Sequence, residues 1–352
     1  MNHRERAMAV LRYQPYDRLP IVHFGFWGEL LPRWAREGHL TADEARGWGD
    51  GNPVDAAVCA KLGFDFNWYS CFHTHGGLRP GFESKVLEAF PNGDKHVLNG
   101  DGVVLLQRPG AGSIPAEIRH TLTDRASYEQ DYKWRYQWAP ERVTQSWVRA
   151  NEKMLRWDQG GLEFLRRDQR DYPYGLHCGS LFGSIRNLIG VTGCSYLQLD
   201  DEPLFDELIE TVGDLCYRNV KYALESGAKF DFAHFWEDIC FKNGPLVRPS
   251  VFAAKVGPQY RRITELTRQY GLDICSLDCD GKIDALIPTW HANGVNTMFP
   301  IEVGTWNASL APWRAQFGRG LRGIGGVDKK VFARDRATVD RRGAEIARLL
   351  RS

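Results

Sequence analysis

Two carboxylates separated by one residue, Asp278 and Asp280, stand in the segment Leu272-Asp-Ile-Cys-Ser-Leu-Asp-Cys-Asp-Gly281. Alternation along a strand turns Asp278 and Asp280 to one side and Cys279 to the other, and Gly281 permits a sharp turn after them. Such a pair can bind a cation. It can also divide acid and base roles when repulsion pushes the two proton affinities apart. The plainer alternative is that Asp280 caps the next helix and Asp278 pairs with a base. A second group is Trp236-Glu237-Asp238, ahead of Lys242-Asn-Gly-Pro245. Glu237 offers a base, a metal ligand or an acceptor for substrate, against an N-cap or a salt bridge to Lys242. Glu302 closes the apolar stretch Phe299-Pro-Ile and needs a partner there. Asp328, after Gly325-Gly-Val, suits a cap as well as chemistry.

Histidines and aromatic residues add a weaker layer. His73-Thr-His75 has the spacing of paired ligands on a strand, a weak signal alone. His177 and His234 lie in strand segments, where a lone histidine is more often a satisfied core residue. The expected catalytic set is Glu237, Asp278 and Asp280. Metal-ligand candidates are Glu237, Asp278, Asp280, Cys279 and His234. The segment His23-Phe-Gly-Phe-Trp27 carries no fixed charge. If it opens into a pocket, it favours a flat apolar or cationic ligand over a polyanion. His23, Phe24, Phe26, Trp27, His177 and Glu302 are therefore the expected substrate contacts. No G-x-S-x-G, Walker loop or early G-x-G-x-x-G occurs.

The elements that must position these residues follow from periodicity and punctuation. A helix is expected from Arg4 to Tyr13 and a strand over Pro20–Gly25, followed by a helix from Gly28 to Glu37. Asn99-Gly-Asp-Gly102 marks a hairpin between His96–Leu98 and Val103–Gln107. That hairpin reads as an excursion in the amino-terminal half. Thr121–Arg170 reads as charged and aromatic, with helical patches.

From residue 172 onward, strands and helices alternate strictly. Strands are expected at Tyr172–Cys178, Phe230–Trp236, Leu272–Asp278, Thr297–Glu302 and Leu321–Val327. Helices are expected at Glu202–Ser226 (capped by Asp201), Pro249–Tyr270, Ile283–Ala292, Leu310–Phe317 and Thr338–Leu350. Alternating units call for a parallel sheet, and the missing dinucleotide fingerprint favours a (β/α)8 barrel over a doubly wound sheet. Residues 1–352 then form one domain, with catalytic groups at the carboxyl ends of the strands.

Bulk properties exclude several function classes. A net charge of +1 gives no field to draw nucleic acid or an anionic membrane. No apolar run approaches the ~20 residues of a membrane span. The eight cysteines are dispersed, and no secretory leader is visible, so reduced thiols and a cytoplasmic location are expected.

Taken in order, Arg4-Glu-Arg-Ala, Asp17-Arg-Leu-Pro20, Trp236-Glu-Asp, Asn243-Gly-Pro, Asp278-Cys-Asp-Gly281, Pro300-Ile-Glu302 and Gly325-Gly-Val-Asp328 resemble the uroporphyrinogen decarboxylase superfamily. Within it, the chain looks most like the branch related to corrinoid-dependent methyltransferases. The resemblance covers nearly the whole chain and implies a (β/α)8 barrel.

True decarboxylases hold their porphyrin with an Arg-Gln-Ala-Gly-Arg-Tyr motif. The matching place near Phe24–Leu30 has no arginine, which disfavours a porphyrin substrate. Thiol-activating methyltransferases carry His-x-Cys as zinc ligands where this chain has Asp278-Cys279-Asp280. Many relatives continue into Gly-Gly-Tyr-Ile and Asp-His segments, whereas this sequence ends at Ser352: either the segment has been lost or the sequence is a piece of a longer chain.

The expected function is demethylation of a small methoxylated or methylated compound, with the methyl group passed to a corrinoid carried by a partner protein. Zinc is the candidate metal, and a homodimer is an assembly the resemblance allows. The alternatives are a cofactor-free decarboxylase of a small acid and a non-catalytic binding barrel.

Overall fold

The computed structural model describes residues 1–110, 114–335, 337–338 and 340–341. The helix expected from Thr338 to Leu350 therefore lies largely outside the described residues. The parallel strands are β1 (Val22–His23), β2 (Phe66–Asn67), β3 (Cys71–His73), β4 (Gly175–His177), β5 (Phe232–Trp236), β6 (Cys275–Asp278), β7 (Thr297–Ile301) and β8 (Arg322–Gly325). β1 pairs with β2, and a six-stranded sheet runs β3-β4-β5-β6-β7-β8, each strand beside its next in sequence. All of these pairs are parallel. Among the described residues the ladders do not close into a ring.

Side-chain alternation sorts the strands into two cores. Phe72, Leu176, Ala233, Phe235, Leu277 and Met298 belong to the larger core, under the helices. The opposite face sends Cys71, Phe232, Ile274 and Phe299 into a smaller core with Phe66 and Trp68. Ala7, Met8 and Leu11 of helix α1 (His3–Leu11) close that inner core. Arg4 and Arg6 hold α1 in place, through Asp231 at 2.6 Å and Asp17 at 2.7 Å.

The sheet must curl strongly to make this inner core. Trp68 Nε1 donates to Ser276 Oγ on β6 at 3.3 Å. Three strand spacings separate β3 from β6, roughly 14 Å if the sheet were flat. Likewise Phe24, just past β1, meets Phe299 of β7 edge-on with ring centroids 4.9 Å apart.

The helices match their sequence signals. α2 (Pro53–Leu62) starts on an Asn52 cap and ends at Gly63. α3 (Gly183–Asp200) is broken at Gly190, and α4 (Glu202–Glu225) begins with the Asp201 side chain accepting from the Leu204 amide. The expected helix from Pro249 is nearly continuous but passes through a wider turn at Phe252–Val256 before α5 (Gly257–Gln269). Shorter helices Ile287–Ala292 and Leu310–Phe317 precede β7 and β8.

The hairpin at Asn99–Gly102 is present, with Leu98 opposite Val104. It belongs to a four-stranded antiparallel sheet, Lys85–Ala89, Lys95–Leu98, Val103–Gln107 and Ala116–His120. A second antiparallel pair, Trp147–Ala150 with Lys153–Arg156, stands where the sequence suggested helical patches. No helix of the described residues is long and apolar enough to cross a membrane.

Candidate active site

The acidic group lies where β5, β6 and β7 end. Asp278 is the last residue of β6, on the inner face and only 4% exposed. Cys279 turns the other way, into the outer core, and its sulfur accepts from the Ile239 amide at 3.4 Å. Oxygens of Asp238, Asp278 and Asp280 all lie within 4.8 Å of one another.

Two carboxylates fix the surrounding turns. Asp238 Oδ1 accepts from the Asp280 amide at 3.1 Å, and Glu302 Oε2 accepts from the Gly281 amide at 2.7 Å. Asp238 adopts a left-handed φ of 50°, and Gly281 has φ 86°. A Cβ on Gly281 would fall 2.4 Å from the Cys240 carbonyl oxygen.

Burial and mutual repulsion raise the proton affinity of this cluster. Burial pushes the Asp278 carboxyl well above the usual range, with further lifts from Asp280 and Glu302. Asp280 is pushed to about 6 by burial, then by Asp238 and Glu302, with Lys329 opposing. Asp238 rises through burial, while the Asp280 amide and Arg186 pull it back. Among the described residues, no group donates a hydrogen bond to the Asp278 carboxylate.

Glu237 does not join this group. Its parity along β5 matches outward-facing Phe235, and the side chain is fully buried among the helices. Its carboxylate accepts from the amides of Leu181, Phe182 and Gly183 at 2.8, 3.0 and 2.6 Å, and from the Tyr260 hydroxyl. It thereby ties down the turn into α3 and the helix's first amide, one of the groups a helix start leaves unpaired. Burial pushes this carboxyl up, against the pull of Tyr260 and the three amides. The same parity, read along Phe232–Trp236, was the signal in the sequence that could have placed Glu237 outside.

One layer below Asp278 lies a row the sequence did not reveal. His73, His177 and His234 are register partners on β3, β4 and β5. The His73 and His177 rings stack at 4.3 Å, and His177 and His234 lie 5.9 Å apart. Ser276 continues the row on β6. Burial lowers His234 to about 3 and His177 well below its usual value, with His73 and His234 adding to it, while His73, exposed on one side, is lowered where it packs against the protein. They are neutral at pH 7. An open cleft of about 410 Å3, lined partly by Asp50, Arg79, His75 and Tyr174, reaches His73. A larger groove of about 710 Å3, between Glu207, Asp214 and Arg262, lies among the outer helices, away from the strand ends.

The first strand splits its aromatic residues between two sides. Phe24 faces Phe299 at the mouth, and Trp27 is exposed. His23 and Phe26 turn outward instead, stacked on each other at 4.4 Å beneath the first helices. There His23 Nε2 meets Cys59 Sγ at 2.7 Å and Asp55 Oδ1 at 3.5 Å. Asp55 also accepts from Trp48 Nε1 at 2.7 Å and the Gly51 amide at 3.1 Å. Asp328 caps the short turn Lys329–Ala333.

The donor chemistry limits which metal would suit. Asp238, Asp278 and Asp280 supply oxygen alone, a hard set suited to magnesium or manganese and unsuited to a zinc-activated thiolate. The structure brings neither Cys279, Glu237 nor His234 into that set. His23, Asp55 and Cys59 are ligand types that zinc accepts, and they converge within 4.8 Å, buried. They lie on the far side of β1 from the inner face and already bond to one another and to Trp48. The carboxylates on the inner face do not fit the zinc of the thiol-activating enzymes.

No family model and no curated protein matches the chain. Among solved structures, a methyltransferase from Methanosarcina mazei matches with a TM-score of 0.54. The match covers 92% of this chain and 82% of that one at 13% sequence identity, which makes it a likeness of fold.

Proposed function

We propose that this chain is a methyltransferase, built on a (β/α)8 barrel, that takes a methyl group from a small methoxylated or methylated compound. Three things support the reading: the sequential parallel strands with their inner core, the likeness to a methyltransferase fold, and polar groups gathered at the carboxyl strand ends. The observation that carries it is Asp278, a carboxyl on the inner face that is buried and has no donor among the described residues. A carboxyl in that setting keeps its proton.

Demethylation of an ether breaks the bond between methyl carbon and oxygen. The oxygen keeps both electrons and requires a proton, which Asp278 supplies. The methyl group would go to a nucleophile, a role that the corrinoid of a partner protein would fill. Glu302 and Asp238 hold the turns that aim Asp278 and Asp280. Glu237 acts from outside as a positioning residue for α3.

The test is methyl transfer to cob(I)alamin across methoxy-aromatics and methylamines. Asp278→Asn should lower turnover by about 10²-fold or more, the usual worth of a general acid, in a protein that melts no lower than the unaltered chain. No turnover by the unaltered protein across the panel would overturn the reading.

The same proton donor would serve a cofactor-free decarboxylase, by protonating the carbanion left when carbon dioxide departs. Carbon dioxide release from small acids is therefore read in parallel. A porphyrin polyanion is disfavoured by the carboxylates at the mouth. A cytoplasmic location and a homodimer remain part of the proposal.

A further inference from the structure

We propose that His177 and His234, flanked by His73, form a hydrogen-bond donor site that holds an oxygen acceptor of the substrate. The inference rests on the methyl-transfer reading and narrows it, choosing methoxylated compounds over methylamines.

The bond made by one ring nitrogen fixes which nitrogen of a neutral imidazole carries the proton. His177 Nδ1 accepts from the Gly179 amide at 3.2 Å, so a neutral ring carries its proton on Nε2. For His234, Nδ1 lies 2.7 Å from Ser276 Oγ. A contact of about 2.7 Å is typical of a hydroxyl donor and the short limit for an N–H donor. The alternative use of the hydroxyl, toward the Ala233 carbonyl, is 3.4 Å long. Trp68 Nε1 donates to one lone pair of the same oxygen, which is compatible with the hydroxyl proton going to His234. With the Ser276 hydroxyl proton given to His234 Nδ1, both rings present an Nε2–H.

Among the described residues, His234 is fully buried and its Nε2 has no hydrogen-bond partner. A buried donor left unpaired is costly, so the group is built to meet something. His177 is its register partner, on the same face. Two neutral N–H donors side by side recognise an ether, phenolic, carbonyl or carboxylate oxygen. They offer nothing to an ammonium group, which brings only donors. Asp278 is two residues above Ser276 on the same face of β6, roughly 6–7 Å up the strand, where it can face the oxygen's other side.

The test uses the full chain labelled with 15N-histidine. His177→Gln and His234→Gln serve to assign the two rings in long-range 1H–15N spectra. At pH 7 both rings should be neutral with the proton on Nε2. Guaiacol, anisole and benzoate should each be titrated, and trimethylamine hydrochloride serves as the oxygen-free probe. Saturable shifts at Nε2 of His177 and His234 with at least one oxygen probe, and none with trimethylamine, are expected. The pattern across probes identifies ether, phenolic or carboxylate oxygen.

A proton on Nδ1 of His234, or no saturable shift with any oxygen probe, would overturn the inference. These spectra report on the unaltered protein, so unfolding of either variant does not decide the result. Shifts without methyl transfer would sink the methyl-transfer reading alone. Transfer from guaiacol with both rings silent would sink this inference alone.

Discussion

Asp278 and Glu237 are both acids at strand ends, yet the pleat gives them opposite tasks. Asp278 continues the inner parity of Ser276. Glu237 continues the outer parity of Phe235 and spends its oxygens on the start of α3. Glu237→Gln should therefore act on stability. Replacing charge-assisted bonds from three amides and Tyr260 should cost roughly 2–4 kcal/mol, read as a lower denaturation midpoint with an unchanged slope.

Asp278 should show the opposite signature. Its folded proton affinity lies above the unfolded value, so its stabilising contribution is complete below pH 4 and is lost as pH rises through the folded value. Asp280, pushed to about 6, adds the same sign between roughly pH 4 and 6. Stability should fall with rising pH across that window, and Asp278→Asn should flatten the slope in urea melts at several pH values. A slope unchanged in the variant would show that Asp278 is not protonated in the folded chain.

At the scale of elements, the turns after β5 and β6 carry the site. Gly281 holds a left-handed conformation against the Cys240 carbonyl, where a side chain has no room. Gly281→Ala should cost about 1–3 kcal/mol and displace the Asp278–Asp280 segment, seen as a lower melting temperature together with reduced turnover. Much of this level was legible in sequence: the alternation from residue 172, the Asp201 cap, the hairpin at Asn99–Gly102 and the turn at Gly281. The pair Trp147–Ala150 and Lys153–Arg156 was not, because charged and aromatic residues there mask a period of two. The histidine row was invisible for a different reason. His73, His177 and His234 each look like a lone strand histidine, and only the register between β3, β4 and β5 makes them neighbours. Register is set by packing across the sheet, which a single sequence does not display. His23 and Phe26 were expected to line the pocket because they share a strand with Phe24. The curl of the sheet and the first helices take them to the other side.

For the whole molecule, two cores on opposite faces of one curled sheet leave a polar inner mouth between them. α1 closes the inner core at one end, and the other end carries neutral imidazole donors with a carboxyl above them. That arrangement suits a small molecule with an oxygen to be protonated as its methyl group departs. The most direct measurement is methyl transfer from guaiacol to cob(I)alamin, comparing the unaltered chain with Asp278→Asn. Transfer by the unaltered chain, with a drop of about 10²-fold or more in a variant that melts no lower, is the predicted result. Equal rates in the two proteins, or no transfer by the unaltered chain from any methoxylated or methylated compound tried, would contradict it.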